Sequence, residues 1–367
     1  MRILFLETEP VTSEVRIRPL LDDLVRTGGI SGYAVVDRTM AVHGTVGSYD
    51  VAFTHRIPSR RQFAWLQRHN PPLVYDIDDL LLNAGKGTPH GRRNSERERI
   101  EWCLSNSQFV TCPSMRLLNN ISAHCSAERR DNFRYLPNAG RDTASVIKVR
   151  ARPTLLWASS SEHVASGELL AIVHGLELAR RELKFEIILL GRFPAAFGEI
   201  IEDHKPHRSW LPYPAYLDLL EKNAFVAIAP LAGDLSPAEQ AFVDCKSDIK
   251  AAQYGSSRIA GAYSARPPYA ESDLPCELVR TNTTEAWREA IGNLVEGFPA
   301  AGNEIGGHDT FLRRRPRVIA EQLLALFETA RQVRPRPFGF SSIPTPRFLG
   351  KIERRFRRAR SRLRGPR

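Results

Sequence analysis

The chain has 367 residues, 42% of them hydrophobic, and exceeds what one hydrophobic core ordinarily serves, so two domains are expected. It has no run of about 18 apolar residues that would span a membrane. Its opening Met-Arg-Ile-Leu-Phe-Leu, soon followed by Glu7 and Glu9, is too short for a secretory signal, which places the chain in the cytoplasm by expectation. Of the net charge of +11, residues 331–367 alone supply +12, from twelve Arg and one Lys against one Glu, so the basicity belongs to the tail.

In chain order, strands are predicted at Arg2 to Glu7, Tyr33 to Asp37, Asp50 to His55, Leu73 to Ile77, Phe109 to Cys112 and Phe133 to Leu136. Helical patterns lie between them at Ser13 to Thr27, Arg60 to His69, Ser95 to Ser105 and Ser114 to His124. After a charged, turn-prone stretch at Gly140 to Pro153 the alternation restarts. It gives strands at Thr154 to Ala158, Phe185 to Leu190, Val226 to Ala229 and Ile259 to Tyr263, and helices at Glu162 to Arg181, Ala215 to Asn223, Ser247 to Ser256 and Thr284 to Val295. Two β-α alternations imply two mainly parallel sheets with helices on both faces, an α/β protein of two Rossmann-like domains facing a central cleft. Ligands of such sheets bind beyond the carboxyl ends of the strands. The five cysteines are widely spaced without a Cys-x-x-Cys pair, so neither a disulfide framework nor a structural zinc is expected.

The segment Cys245-Lys-Ser-Asp-Ile-Lys250 is the most informative for chemistry. Ser247 is suited to cap a helix whose first N–H groups would point into the space before it, an arrangement that receives anions. Lys246 and Lys250, four apart, would flank that end and add two formal charges for a diphosphate. The plain alternative is a solvated helix start with two surface lysines.

With Pro230-Leu231, Lys246-Ser-Asp-Ile-Lys250, Gln253-Tyr254, Pro268-Tyr269 and Thr284-Glu-Ala-Trp287, the second half resembles the donor-binding half of group-1, family 4-like glycosyltransferases of the GT-B fold. Thr12-Ser-Glu-Val-Arg16, His55-Arg56, Val74-Tyr-Asp-Ile-Asp-Asp79, Pro113-Ser114, Leu136-Pro-Asn138 and Ser159-Ser-Ser-Glu-His163 extend the resemblance over residues 1–300. The resemblance implies a retaining transfer from a nucleotide sugar to a glycan or lipid-linked acceptor, with no further cofactor. The pattern of the chain places domains at 1–147 and 148–310, which the resemblance makes the acceptor and nucleotide-sugar sides, then a closing helix at 311–334 and a basic amphipathic tail at 335–367. Donor contacts would come from Lys246, Ser247, Gln253, Ser161, His163 and Tyr213, and cleft or acceptor contacts from Arg16, Arg56, Asp76 and Asn138. Each has a bland counterpart: an ion-pair arginine, a turn asparagine, a Pro-rich turn at Tyr213, a capping loop around His163.

Two positions depart from the family pattern. Cys245 and Gln253 stand where a pair of glutamates eight apart is usual, and Gln253 bonds a ribose hydroxyl less strongly than a carboxylate would. Arg258 stands where the family often has Gly, at a backbone position suited to positive φ. They motivate an alternative in which the chain is a catalytically weak or inactive relative that binds a glycan or sugar nucleotide as an assembly factor.

Asp76, Asp78 and Asp79 follow an apolar strand, so their carboxylates should emerge at its carboxyl end. Asp78 and Asp79, with Lys250, are the catalytic candidates. The carboxylates either orient and deprotonate an acceptor hydroxyl or hold a divalent cation as the Asp-x-Asp of single-domain GT-A transferases does; the second β-α domain favours the first, without metal. A structural reading as acidic helix caps stays open. In the tail, Leu349, Ile352, Phe356 and Leu363 share one helical face among arginines, so Phe348 to Leu363 is expected to lie on an anionic membrane surface, peripheral on its inner face. A disordered tail is the plain alternative, and nucleic acid is not an expected partner.

Overall fold

The computed structural model describes residues 1–40, 48–82, 94–141, 153–159, 167–191, 193, 197, 205–207, 211–222, 226–297 and 311–333. Ser161, His163 and the tail segment Phe348 to Leu363 lie outside them. The first sheet holds β1 (Arg2–Leu6), β2 (Gly32–Val36), β3 (Val51–His55), β4 (Leu73–Asp76), β5 (Phe109–Cys112) and β6 (Phe133–Tyr135), in the order β2-β1-β3-β4-β5-β6. The second holds β7 (Thr154–Ser159), β8 (Glu186–Gly191), β9 (Lys205–His207), β10 (Val226–Ala229), β11 (Ala260–Ser264) and β12 (Glu277–Val279), in the order β12-β11-β10-β7-β8-β9. Every pairing is parallel.

The helices are α1 (Pro10–Thr12), α2 (Arg18–Arg26), α3 (Arg60–His69), α4 (Asn94–Asn106), α5 (Met115–Ser122), α6 (Ala127–Arg130), α7 (Gly167–Leu183), α8 (Tyr213–Lys222), α9 (Pro237–Asp244), α10 (Ile249–Ser256), α11 (Pro267–Ala270), α12 (Thr284–Glu296) and α13 (Pro316–Gln332). The short elements β9, β12, α6, α9 and α11 are absent from the sequence-based prediction. They are too brief for periodicity to stand out.

Continuous apolar runs in the strands reflect burial on both faces. In β7, Leu155 and Trp157 enter one core and Leu156 and Ala158 the other; in β10, Val226 and Ile228 alternate likewise with Ala227 and Ala229. In β1, Ile3 and Phe5 face one side and Leu4 and Leu6 the other. Ile319, Ala320, Leu323, Phe327 and Ala330 recur at helical spacing, so α13 has a single apolar stripe. That stripe packs on Ile3, Phe5, Leu20 and Phe53 of the first half, returning the chain to the domain where it began.

Two local departures shape the cleft. The predicted helix from Ser13 to Thr27 is interrupted by a π-helical stretch at Ser13–Ile17. Pro19 has no N–H to give the Val15 carbonyl, so a regular α-helical bond is impossible there and the backbone widens. The second is Arg258, whose φ is +55°, the positive value expected at that position. Its N–H bonds the Gly255 carbonyl at 3.0 Å and the Ile259 N–H bonds the Tyr254 carbonyl at 2.8 Å, which is the Schellman closure of α10. A residue with a Cβ is strained in this conformation by ~1–2 kcal/mol. Arg258→Gly is therefore expected to stabilise the protein by about 0.5–1 kcal/mol, allowing for glycine's greater freedom when unfolded. Urea denaturation would read it, and a lower midpoint would show that the arginine side chain makes a compensating contact.

Arg314, buried to 1% exposure, ties the halves together. Its guanidinium donates to the Asn138 carbonyl (3.1 Å), the Tyr135 hydroxyl (3.1 Å), Asp248 (2.8 Å) and Asp273, while its own carbonyl accepts from Gly140 (2.7 Å). Ser114 adds a bond to the Cys245 carbonyl at 3.2 Å.

Candidate active site in the cleft

Each sheet changes winding direction once, between β1 and β3 in the first half and between β7 and β10 in the second, and ligands of such sheets bind beyond these points. A cavity of about 300 Å³ lies in the cleft at these two edges. Its wall from the first half includes Thr12, Arg16, Asp78, Asp79 and Asn138, and from the second Pro230, Leu231, Lys246, Ser247, Ile249, Lys250 and Tyr269.

Arg56, a cleft candidate that is not among the lining residues of this cavity, follows β3 in the left-handed region with φ +48°. Its N–H donates to the Asp76 carbonyl at 2.9 Å and its own carbonyl accepts from the Tyr75 hydroxyl, so the strained backbone is held on both sides. The guanidinium consequently meets both Asp78 (3.0 Å) and Asp79 (2.9 Å). Burial opposes the charge on Arg56, but the two carboxylates outweigh it and its pKa is raised. Asp78 Oδ2 also accepts from the Thr12 hydroxyl at 3.3 Å, whereas Oδ1 is buried without a hydrogen-bond partner among the described residues. Burial pushes the Asp78 carboxyl above its ordinary value; Arg56 pulls the other way, and the neighbouring Asp79 and Asp76 add to the rise.

Across the cleft, Lys246 Nζ lies 3.6 Å from Asp79 and 4.6 Å from the centre of the Phe242 ring. Lys250 donates to the Ala158 carbonyl at the end of β7. Its ammonium is depressed to about 8 by burial first and by the adjacent Lys246 charge second. A poorly solvated cation beside a second cation has an unmet demand for negative charge, which a phosphate supplies.

Four expectations need correction. Asp76 does not emerge in the cleft: β4 ends there, and its fully buried carboxylate is consumed by Arg16 Nε (2.9 Å), Arg16 Nη2 (2.7 Å) and the Thr111 hydroxyl (2.6 Å). Arg16, expected to meet a substrate, is this buried partner, although it also lines the cavity; its Nη1 donates to Asn138 Oδ1 and its Nη2 to the Leu136 carbonyl, both at 2.9 Å. Ser247 does not cap α10, which starts at Ile249 after Asp248, and Asp248 makes no side-chain cap either; its Oδ2 accepts from Arg314 and Ser272. Gln253 and Tyr213 are outside the cavity lining. One turn beyond Ile249, the Gln253 amide donates to the Tyr213 hydroxyl and accepts from the Tyr216 hydroxyl, each at 3.3 Å. Tyr213 itself lies in the first turn of α8 and not in a loop.

Arg314 was missed by sequence reasoning, since nothing distinguishes it from Arg313 and Arg315 beside it. Among the described residues no group of His, Cys, Asp and Glu is arranged to hold a metal ion.

Two Rossmann-like α/β halves with their switch-point edges opposed across a cleft make up the GT-B fold. Solved structures share this architecture. HepE of Anabaena, in complex with UDP and glucose, is 14% identical, covers 91% of this chain and 100% of its own, and superposes with a TM-score of 0.60. A glycosyltransferase from Rickettsia africae is 11% identical over 90% of this chain and 98% of its own, with a TM-score of 0.58. UDP-GlcNAc 2-epimerase from Neisseria meningitidis, bound to UDP-GlcNAc, is 12% identical over 90% and 100%, with a TM-score of 0.52. The sequence matches no family model and no curated protein.

Proposed function

We propose that the cleft binds a uridine-diphosphate sugar and transfers its glycosyl group to a hydroxyl of a glycan or lipid-linked acceptor. The observation that carries the reading is the polarity of the cleft cavity: Lys246 and Lys250 on one wall, Asp78 and Asp79 on the other. The fold neighbours solved with UDP or UDP-sugars support the choice of nucleotide. In this reading the two lysines neutralise the diphosphate as the bond from the anomeric carbon to its oxygen breaks and the nucleoside diphosphate departs with the electron pair. Asp78 Oδ1 takes the proton of the acceptor hydroxyl as that oxygen bonds the anomeric carbon. Retention at the anomeric carbon rests on the sequence resemblance alone.

A second reading, a weak or inactive binder of sugar nucleotides, is favoured by the closure of Gln253 against two tyrosines. Thermal-shift and turnover assays over a panel of nucleotide sugars separate the two. A rise in melting temperature with UDP-sugars together with acceptor-dependent release of UDP supports transfer, and stabilisation without turnover supports the binder. No shift with any nucleotide sugar removes both.

A further inference from the structure

We infer that Asn138 is a specificity-determining residue that reads a hydroxyl of the donor's glycosyl group through its amide N–H2, an inference that rests on the nucleotide-sugar reading above. Arginine can only donate, so the Asn138 oxygen must be the atom that faces Arg16 Nη1 at 2.9 Å. The amide orientation is thereby set by chemistry and not by choice. Nδ2 is left on the other side, and it has no hydrogen-bond partner among the described residues although the side chain is 1% exposed. The same residue lines the cleft cavity.

The arrangement is held from both ends. Arg314 grips the Asn138 carbonyl at 3.1 Å, and Arg16 is itself locked by Asp76, which the Thr111 hydroxyl supports. A buried amide donor kept rigid and unpaired at a cavity wall calls for an acceptor from the ligand. Two kinds of oxygen compete. A phosphate is drawn to the opposite wall by Lys246 and Lys250, and the carboxylates of Asp78 and Asp79 on Asn138's own wall repel it. A neutral hydroxyl suffers no such repulsion and lies next to the phosphates in a nucleotide sugar.

The test is calorimetric titration of the full chain with UDP, UDP-glucose and UDP-GlcNAc. Asn138→Ala is expected to weaken the tighter-binding UDP-sugar about tenfold while changing UDP affinity by less than twofold; Lys250→Ala should weaken all three. Equal loss for UDP and UDP-sugar in Asn138→Ala would show a structural role and overturn the inference, as would no loss in either. Should the variant fail to fold, the wild-type chain is titrated with the monodeoxy analogues of that sugar nucleotide, one for each free hydroxyl of its sugar. One position should lose about tenfold, and uniform affinity across the series overturns the inference. Absence of UDP binding by the wild-type chain sinks the nucleotide reading itself, whereas UDP binding that no sugar improves sinks only the role of Asn138.

Discussion

Lys250→Met is expected to abolish tight nucleotide binding while making the unliganded protein more stable below pH 8. The lysine is a cation held where burial and Lys246 both disfavour its charge, and its folded pKa of about 8 lies below the ordinary 10.5. Between these values the unfolded chain binds more protons than the folded one, so stability rises with pH across that window. Below about 8 the full burden of burying the charge is present. Methionine keeps the stem and removes that burden, so its stabilisation should be largest at neutral pH and shrink toward pH 10.5.

For binding the effect has the opposite sign. A charge pair at ~4 Å is worth ~4 kcal/mol at an effective dielectric near 20, before desolvation. A loss of about ten- to a hundredfold in UDP affinity is therefore expected for Lys250→Met, and wild-type affinity should fall as pH rises above about 8. Thermal denaturation and calorimetry at pH 7 and pH 9.5 read both. Unchanged affinity would remove Lys250 from the site, and destabilisation at pH 7 would mean the ammonium is better solvated than its surroundings indicate.

Arg16→Met is expected to destabilise the protein by about 3–5 kcal/mol, because it leaves the buried Asp76 carboxylate without its counter-ion. At 3% and 0% exposure neither partner can turn to water. Replacing both, as Arg16→Met with Asp76→Asn, should recover a substantial part of the loss, since an uncharged pair no longer carries an isolated charge. Urea denaturation would show this as a lowered midpoint at unchanged slope in the single variant. A variant of normal stability that had lost ligand affinity would restore Arg16 to the substrate-binding role that its sequence position suggests.

The sequence alone determined the alternation of strands and helices and the break between two halves. Those features arise from local periodicity and from strands buried on both faces, as in the apolar runs of β3, β5 and β10. It also determined which segments reach the carboxyl edges: Lys246, Lys250, Asp78 and Asp79 follow from chain position after strands or at a helix start, and all line one cavity. The positive φ at Arg258 is expected through the family resemblance, since the family often has Gly at that position, and φ is +55° there.

Only the tertiary structure decided which polar groups remain available to a ligand. Asp76 and Asp78 are two residues apart in an acidic string, yet Asp76 is spent on Arg16, 60 positions away, while Asp78 keeps a buried oxygen with no hydrogen-bond partner among the described residues. Gln253 is closed by tyrosines 40 and 37 positions away, and Arg314 finds Asp248 across 66. Hydrogen-bond partners are chosen by proximity in the folded chain, and buried polar groups must be paired wherever a partner is within reach. A local pattern can therefore place a side chain at a strand end, but whether its atoms are already satisfied depends on contacts that local periodicity does not encode.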